Sequence, residues 1–233
     1  MAEAYLPPVP ADPYVWPFDG RWSAADTAVL LLGFQAGPVE RLRAAAQAAR
    51  AARLAAAARR AGLAVFAARR GVRPGAAPVL ARRAPLGDAV PEAGSPGWAL
   101  VPAAEPGPDG QIFDHGGDNA FHGTGLEAAL RRAGIRNLLI AGLPTDGLMH
   151  ASMRAANDMG FECLAVADAC KGTSLSRHKA QLRITTFGNG LFGAVAPLAA
   201  VLTALPHRDA ASPHRDAASP HRDAASPHRE SET

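Results

Sequence analysis

The chain has 233 residues, of which 48% are hydrophobic, and this is enough apolar material for one globular domain with a substantial core. Its formal net charge is +3, and its arginines are scattered through alanine-rich stretches without interleaved aromatic residues, so we expect no nucleic-acid partner. The longest apolar run, Leu191 to Leu205, is too short and too interrupted by Pro and Gly to cross a bilayer, which excludes a membrane partner.

Two further features favour a reduced, cytoplasmic setting. The N-terminal residues do not show the basic start and apolar stretch of a secretory signal. The two cysteines, Cys163 and Cys170, form neither a disulfide framework nor a metal-binding spacing.

Short apolar runs alternate with longer helical patterns along the chain. The runs that predict strands are Thr27–Phe34, Leu63–Arg69, Gln111–His115, Asn137–Leu143, Glu162–Asp168 and Phe192–Ala196. The patterns that predict helices are Val39–Gly62, Gly125–Gly134, Asp146–Gly160 and approximately Lys179–Phe187. Several runs are apolar on both faces, as strands between two layers of helices are. The alternating order therefore predicts an α/β fold, a three-layer α/β/α sandwich with a doubly wound, mainly parallel sheet.

Composition divides the chain into three parts. We expect an N-terminal extension over residues 1–26, one domain over residues 27–205 and a disordered tail over residues 206–233. The tail repeats the heptapeptide PHRDAAS, and every copy carries Pro and no large apolar residue, so it can form neither a coiled coil nor a core. Its evenly spaced histidines leave metal binding as an alternative, but a solvated repeat is preferred. The Pro/Gly-rich segment Gly71–Gly110 is expected to be a long surface excursion.

Ligands of doubly wound sheets bind beyond the carboxyl ends of the strands, which directs attention to Phe34, His115 and Pro144. The sequence GLPTDGLMHAS, Gly142 to Ser152, ends the fourth strand and opens a helix. This turn resembles that of the isochorismatase-like cysteine hydrolases, in which Gly-aliphatic-x-Thr-Asp-x-Cys precedes a helix. The resemblance extends over most of Tyr14–Leu205 through the segments YVWPFDG, PGWALVP, AFHGTGLEAALRRAGIRNLLIAG and MRAANDMGFECLAVADAC. They are most similar to the biuret and ureidoacrylate amidohydrolase branch.

The resemblance implies hydrolysis of an amide by an Asp, a Lys and a Cys, without a cofactor. The carboxylate takes the thiol proton, the ammonium balances that charge and the thiolate attacks the carbonyl carbon. Backbone N–H groups at the start of the helix then receive the oxyanion.

This sequence departs from the family pattern at all three positions. Gly33 stands where the Asp belongs, His115 where the Lys belongs and Leu148 where the Cys belongs. After the retained Gln35, the residues AGPVERL enter a helix almost at once, in place of a loop rich in Gly and aromatic residues. Cys163 and Cys170 match ordinary scaffold positions and are not expected to act as nucleophiles.

The turn itself keeps its scaffold residues. The resemblance implies a cis peptide before Pro144, and Thr145 and Asp146 are expected to cap the following helix. His150 and Arg154 match scaffold or oligomer-contact positions. A retained small-molecule site would use a set of residues at the strand ends, namely Gln35, Phe121, Pro144, Thr145, Asp146 and Gly147.

The segment DHGGDNAFH offers a different chemistry. Asp114, His115, Asp118 and His122 are residue types that could hold a divalent metal or supply an acid-base pair. The preferred interpretation is that Asp118 and Asn119 cap the next helix and that His122 lies on its surface, so no metal is expected.

Two functional hypotheses remain. The first is a non-catalytic pseudoenzyme that works through binding or assembly, as a homo-oligomer or as the partner of an active relative, with a small-molecule ligand possible. The second is a divergent hydrolase or lyase acting on a small amide or cyclic substrate. In it, His115 with Asp114 or Asp118 carries out acid-base catalysis.

Overall fold

The computed structural model describes residues 5–72 and 90–206. Its strands are β1 (Thr27–Leu32), β2 (Ala64–Arg70), β3 (Gln111–His115), β4 (Asn137–Gly142), β5 (Glu162–Val166) and β6 (Ala194–Ala196). Its helices are α1 (Ala36–Arg41), α2 (Ala45–Arg60), α3 (Leu126–Arg132), α4 (His150–Asp158), α5 (Leu175–Gly190) and α6 (Leu198–Ala204). The strands form one six-stranded parallel sheet in the order β3-β2-β1-β4-β5-β6, which confirms the predicted α/β class.

The sheet is covered on both faces, as the continuous apolar runs predict. Every residue of β1 and of β4 is buried. Along β1, Leu31 packs in the cluster that contains α2 and α6, whereas Leu30 and Leu32 pack in the cluster that contains α3 and α4. Successive side chains of a strand point to opposite faces, so two separate apolar layers enclose the central strands.

The predicted single helix over Val39–Gly62 is wrong, because the chain turns between α1 and α2. Arg43 adopts a φ of +50°, which ends helical geometry, and its N–H donates to Glu40 O at 2.9 Å. Helix α1 begins immediately after Gln35, as the residues AGPVERL predict.

Two helices at the end of the domain were not correctly predicted. Helix α5 begins at Leu175 and not near Lys179, with Ser174 Oγ accepting a hydrogen bond from Arg177 N at 3.2 Å. The sequence indicated no helix at α6, whose first N–H, that of Leu198, donates to Asp168 Oδ1 at 2.7 Å.

The segment before β1 packs against the domain. Val9, Trp16 and Trp22 are fully buried, and the backbone of Asp12 exchanges two hydrogen bonds with Val195 beside the sheet. The repeat tail after Pro206 and most of the predicted excursion, residues 73–89, lie outside the described residues. Within residues 5–72 and 90–206, no helix is long and apolar enough to span a membrane.

Candidate functional site

The turn after β4 forms the centre of the candidate site. The peptide bond between Leu143 and Pro144 is cis, as expected. A turn over Thr145–Met149 follows, in which Asp146 and Gly147 have non-helical backbone angles, and α4 begins only at His150.

The prediction that Thr145 and Asp146 cap this helix is wrong, because both side chains bond to the segment between β5 and α5 or to α5 itself. Thr145 Oγ1 lies 2.8 Å from Nδ1 of His178 on α5. Asp146 Oδ1 accepts a hydrogen bond from Thr173 N at 2.8 Å, and its second oxygen accepts one from the Thr173 hydroxyl. These side chains therefore hold the turn against the β5–α5 segment and the start of α5.

Gly33 follows β1 and lies against this turn. Its φ is +69°, and a Cβ atom there would lie 2.3 Å from the carbonyl oxygen of Leu143 and 2.9 Å from Leu148 Cδ2. Leu148 is itself only 1% exposed. The backbone of the turn and the Leu148 side chain thus fill the space that a side chain at position 33 would need.

Gln35 is fully buried, and its amide is occupied by backbone groups. Its Nε2 donates to the carbonyl oxygens of Arg70 and Trp98, both at 2.9 Å, while its Oε1 accepts from Arg70 N at 2.9 Å. Gln35 therefore joins the ends of β1 and β2 to the segment that contains Trp98.

The cavity at the strand ends is small. It measures about 20 Å³ and is lined in part by Gly33, Gln35, Pro144 and Leu148. Such a volume holds roughly one water molecule. Gly33 and Leu148 meet at this cavity, but His115 is not among its lining residues.

The other residues expected to bind a ligand do not line this cavity. Phe121 is buried and stacks beside Phe161, with ring centroids 6.3 Å apart. Thr145 and Asp146 bond to His178 and Thr173, and the half-buried Gly147 lies beside the Pro144 ring. Arg70, which lines the cavity and which the sequence did not single out, comes from the end of β2.

His115 ends β3 and is 5% exposed. Its Nδ1 lies 3.0 Å from Gly117 O and therefore donates to that carbonyl, while its buried Nε2 has no hydrogen-bond partner among the described residues. Burial lowers the pKa of His115 to about 4, with Arg70 adding to the shift and the Gly117 bond and both nearby carboxylates opposing it. The ring is therefore neutral at pH 7.

The two carboxylates nearest His115 in the sequence pair with arginines of β2. Asp114 accepts two hydrogen bonds from Arg69, at 2.8 and 3.1 Å, and Asp118 Oδ1 lies 2.7 Å from Arg70 Nη1. Both carboxylates are thus engaged with guanidinium groups.

The expectation that Asp118 and Asn119 cap the next helix is wrong. Asn119 Oδ1 accepts from Phe121 N at 2.9 Å in a turn, and α3 begins only at Leu126. His122 is exposed, and the described residues contain no group of three or more potential metal ligands.

Both thiols are buried, consistent with scaffold positions. Burial raises the pKa of Cys170 to about 12 and raises that of Cys163 as well. Cys170 Sγ accepts from Gly142 N at 3.3 Å, and Cys163 Sγ donates to Phe161 O at 3.4 Å. The raised pKa of each thiol disfavours the thiolate that nucleophilic attack requires.

His150 and Arg154 share one aromatic partner outside the turn. The His150 ring packs edge-on against Phe192, and the Arg154 guanidinium lies 4.5 Å from the centroid of the same ring. Both side chains thus contact the segment before β6.

A comparison with known protein families agrees with this fold and with this turn. The model of the isochorismatase domain matches residues 27–198, so the chain belongs to the isochorismatase family and has its hydrolase fold. The uncharacterized isochorismatase family protein YecD of Escherichia coli O157:H7 is 37% identical over 59 residues, which cover 25% of this chain and 31% of the relative. Streptothricin hydrolase of Streptomyces noursei is 33% identical over 75 residues, covering 32% of this chain and 27% of the relative.

The matched segments thus span less than a third of either curated relative. A solved structure agrees over a much larger part of the chain. The cysteine hydrolase from Pseudomonas syringae pv. phaseolicola 1448A superposes with a TM-score of 0.71 at 20% identity, covering 88% of this chain and 98% of that one. At this identity the similarity establishes the fold alone.

The close contact at Gly33 predicts a large loss of stability for Gly33→Ala. Gly20 is the matched control, because it has the same φ of +69° but no atom lies within 4 Å of the position that an added Cβ would occupy. The backbone strain alone should lower the free energy of unfolding by about 1 kcal/mol in Gly20→Ala, and added overpacking should bring the loss in Gly33→Ala to about 3 kcal/mol. Urea denaturation measures both, and equal losses would contradict the described contact.

The neutral His115 predicts a pH-dependent stability. Its folded pKa of about 4 lies below the ordinary value of 6.5, so between these values the unfolded chain binds the proton and the folded chain does not. The free energy of unfolding should therefore fall as the pH falls through this window, by at most about 3 kcal/mol from this residue. His115→Gln should reduce this slope in urea denaturation, whereas the exposed control His122→Gln should not. A slope unchanged by His115→Gln would show that the ring is not held neutral.

Proposed function

We propose that this isochorismatase-family protein is a pseudoenzyme, which does not hydrolyse amides by the cysteine mechanism and works through binding or assembly. The observation that carries the proposal is the contact of Gly33 with the Leu143 carbonyl and the Leu148 side chain. A carboxylate side chain does not fit there, so position 33 supplies no general base to the turn.

The family mechanism needs a base, a nucleophile and a positive charge, and the residues at these three positions of this chain do not provide them. Gly33 offers no base, Leu148 offers no nucleophile and His115 is neutral at pH 7, so it offers no positive charge. Each of these catalytic groups lowers the activation barrier separately. Removal of one member of a catalytic triad already removes most of the rate acceleration.

The small cavity supports the same proposal. A space of about 20 Å³ does not admit an amide substrate, and enlarging it would require Gln35 to leave three backbone hydrogen bonds. Each such bond left unmade in the interior costs about 1–3 kcal/mol. A pocket filled in this way stabilises the scaffold but gives a substrate no access to the turn.

Assembly is the positive half of the proposal. Large apolar side chains are exposed towards the end of α5 and just after it, namely Ile184, Phe187 and Leu191. Exposed apolar side chains grouped on one element are typical of a surface that contacts another protein. We therefore propose that the protein works as a homo-oligomer or beside an active relative.

The pseudoenzyme proposal predicts that the purified full chain releases no ammonia from biuret, ureidoacrylate or nicotinamide. Leu148→Cys alone should not restore release, because Gly33 offers no carboxylate to accept the thiol proton. A coupled ammonia assay measures both, with a catalytically active nicotinamidase as the positive control for the assay. Turnover of any of these amides by the unmodified chain, or rescue by the single substitution, would overturn the proposal.

One observation favours the second candidate function, a divergent hydrolase or lyase. His115 Nε2 is unprotonated and buried without a hydrogen-bond partner among the described residues, as a general base waiting for a substrate proton could be. This second function would assign Asp114 or Asp118 as the acid-base partner, although both pair with arginines.

A substrate screen tests this alternative. If the chain turns over any small amide or cyclic compound, His115→Ala should abolish the reaction and keep the circular dichroism spectrum, while His122→Ala should leave the rate within twofold. Activity that survives His115→Ala would remove His115 from the chemistry. A chain with no activity in the screen would favour the pseudoenzyme.

A further inference from the structure

A second cavity lies between the α1–α2 turn and the β5–α5 segment. It measures about 410 Å³, and its wall includes Arg41, Arg43 and Arg50 on one side and Asp168, Lys171 and Ser174 on the other. Pockets that bind small molecules have volumes of roughly 300–1,000 Å³. This cavity is therefore large enough for a metabolite, unlike the space at Gly33.

The wall of this cavity carries an excess of positive charge. Among the described residues, Arg43, Arg50 and Lys171 line it together with one carboxylate, that of Asp168. This carboxylate is already engaged, since one oxygen accepts from Leu198 N at 2.7 Å and the other lies 3.6 Å from Arg50 Nε. A concave surface lined by one sign of charge concentrates ions of the opposite sign, so the cavity attracts anions.

The amino end of α5 adds polar groups to the same wall. Thr173, Ser174 and Leu175 border the cavity, and α5 keeps helical backbone angles from Leu175 to Thr186. Two N–H groups here are already engaged, since Thr173 N donates to Asp146 Oδ1 and Arg177 N donates to Ser174 Oγ. The first N–H groups of a helix lack partners within it and carry partial positive charge, which favours phosphate and carboxylate groups.

The two sides of the cavity are fixed relative to each other. Lys171 Nζ donates to Arg43 O at 2.7 Å, and Thr145 N donates to Lys171 O at 2.9 Å. The Arg43 guanidinium makes no hydrogen bond or ion pair with the described residues. The cavity is thus held in shape by backbone contacts while a guanidinium stays available to a ligand, which reduces the ordering cost of binding.

We propose that this cavity binds a small molecule that carries a phosphate monoester. A doubly charged phosphate has enough acceptor oxygens for guanidinium groups and for the amino end of α5 together. The site is distinct from the cavity at Gly33, with Arg41 bordering both, and it goes beyond the proposed lack of hydrolysis, which it neither requires nor explains.

Isothermal titration of the full chain with ribose 5-phosphate tests the proposal. We expect saturable binding with a submillimolar Kd at constant ionic strength, weaker binding of inorganic phosphate, and at least tenfold weaker binding of ribose and of succinate. These arms separate the phosphate monoester from its sugar, from the free ion and from a dicarboxylate.

Arg43→Gln should weaken the binding of ribose 5-phosphate at least tenfold, and its fold should be unaffected because the guanidinium has no partner among the described residues. The matched control is Arg60→Gln, which removes the same charge from the far end of α2. Arg60 lies about 15 Å along this helix from Arg50, so its substitution should change Kd less than twofold. Absence of binding at 10 mM ribose 5-phosphate, tighter binding of succinate, or equal weakening by the two substitutions would overturn the proposal. None of these outcomes depends on whether an amide is hydrolysed.

Discussion

The close approach of the Leu143 carbonyl to Gly33 is the contact on which the rest of the site depends. Strands β1 and β4 are neighbours over their whole length, with Leu32 opposite Gly142, and Leu143 N donates to Leu32 O at 2.9 Å. The turn after β4 is thereby held directly over the end of β1, where only glycine fits. Leu148 then packs on Gly33, and the side-chain amide of Gln35 bonds to backbone groups, so scaffold contacts fill most of the space at these strand ends.

Local and non-local interactions explain which parts of the fold could be predicted from the sequence. The strands could be predicted because the central ones are buried on both faces, which leaves a continuous apolar run in the sequence. The break at Arg43 could not be predicted, since Glu40–Leu42 before it and the alanine-rich residues after it all favour helix. Likewise, Thr145 and Asp146 looked like helix caps, but their partners lie about thirty residues further along the chain.

The candidate site was predictable in part for the same reason. The turn after β4 and the positions Gly33, His115 and Leu148 are evident from short motifs, which resemblance can align residue by residue. Other features of the site depend on contacts between separate strands and could not be predicted. These are the cavity volume at Gly33, the pairing of Asp114 and Asp118 with β2 arginines, and the burial of His115. The cationic cavity could not be predicted from the sequence. Its residues Arg43 and Lys171 are 128 positions apart, and a hydrogen bond joins them only in the folded chain.

The packing of Leu148 on Gly33 keeps the turn closed, and methyl-labelled NMR tests this contact directly. The Leu148 Cδ2 atom lies 2.9 Å from the place where a Gly33 Cβ would be, so its methyl protons must be close to a Gly33 Hα. We expect a strong nuclear Overhauser effect between these protons, unchanged by saturating nicotinamide or biuret. Absence of this effect, or its loss when either amide is added, would show that the turn opens to a substrate and would contradict a closed site.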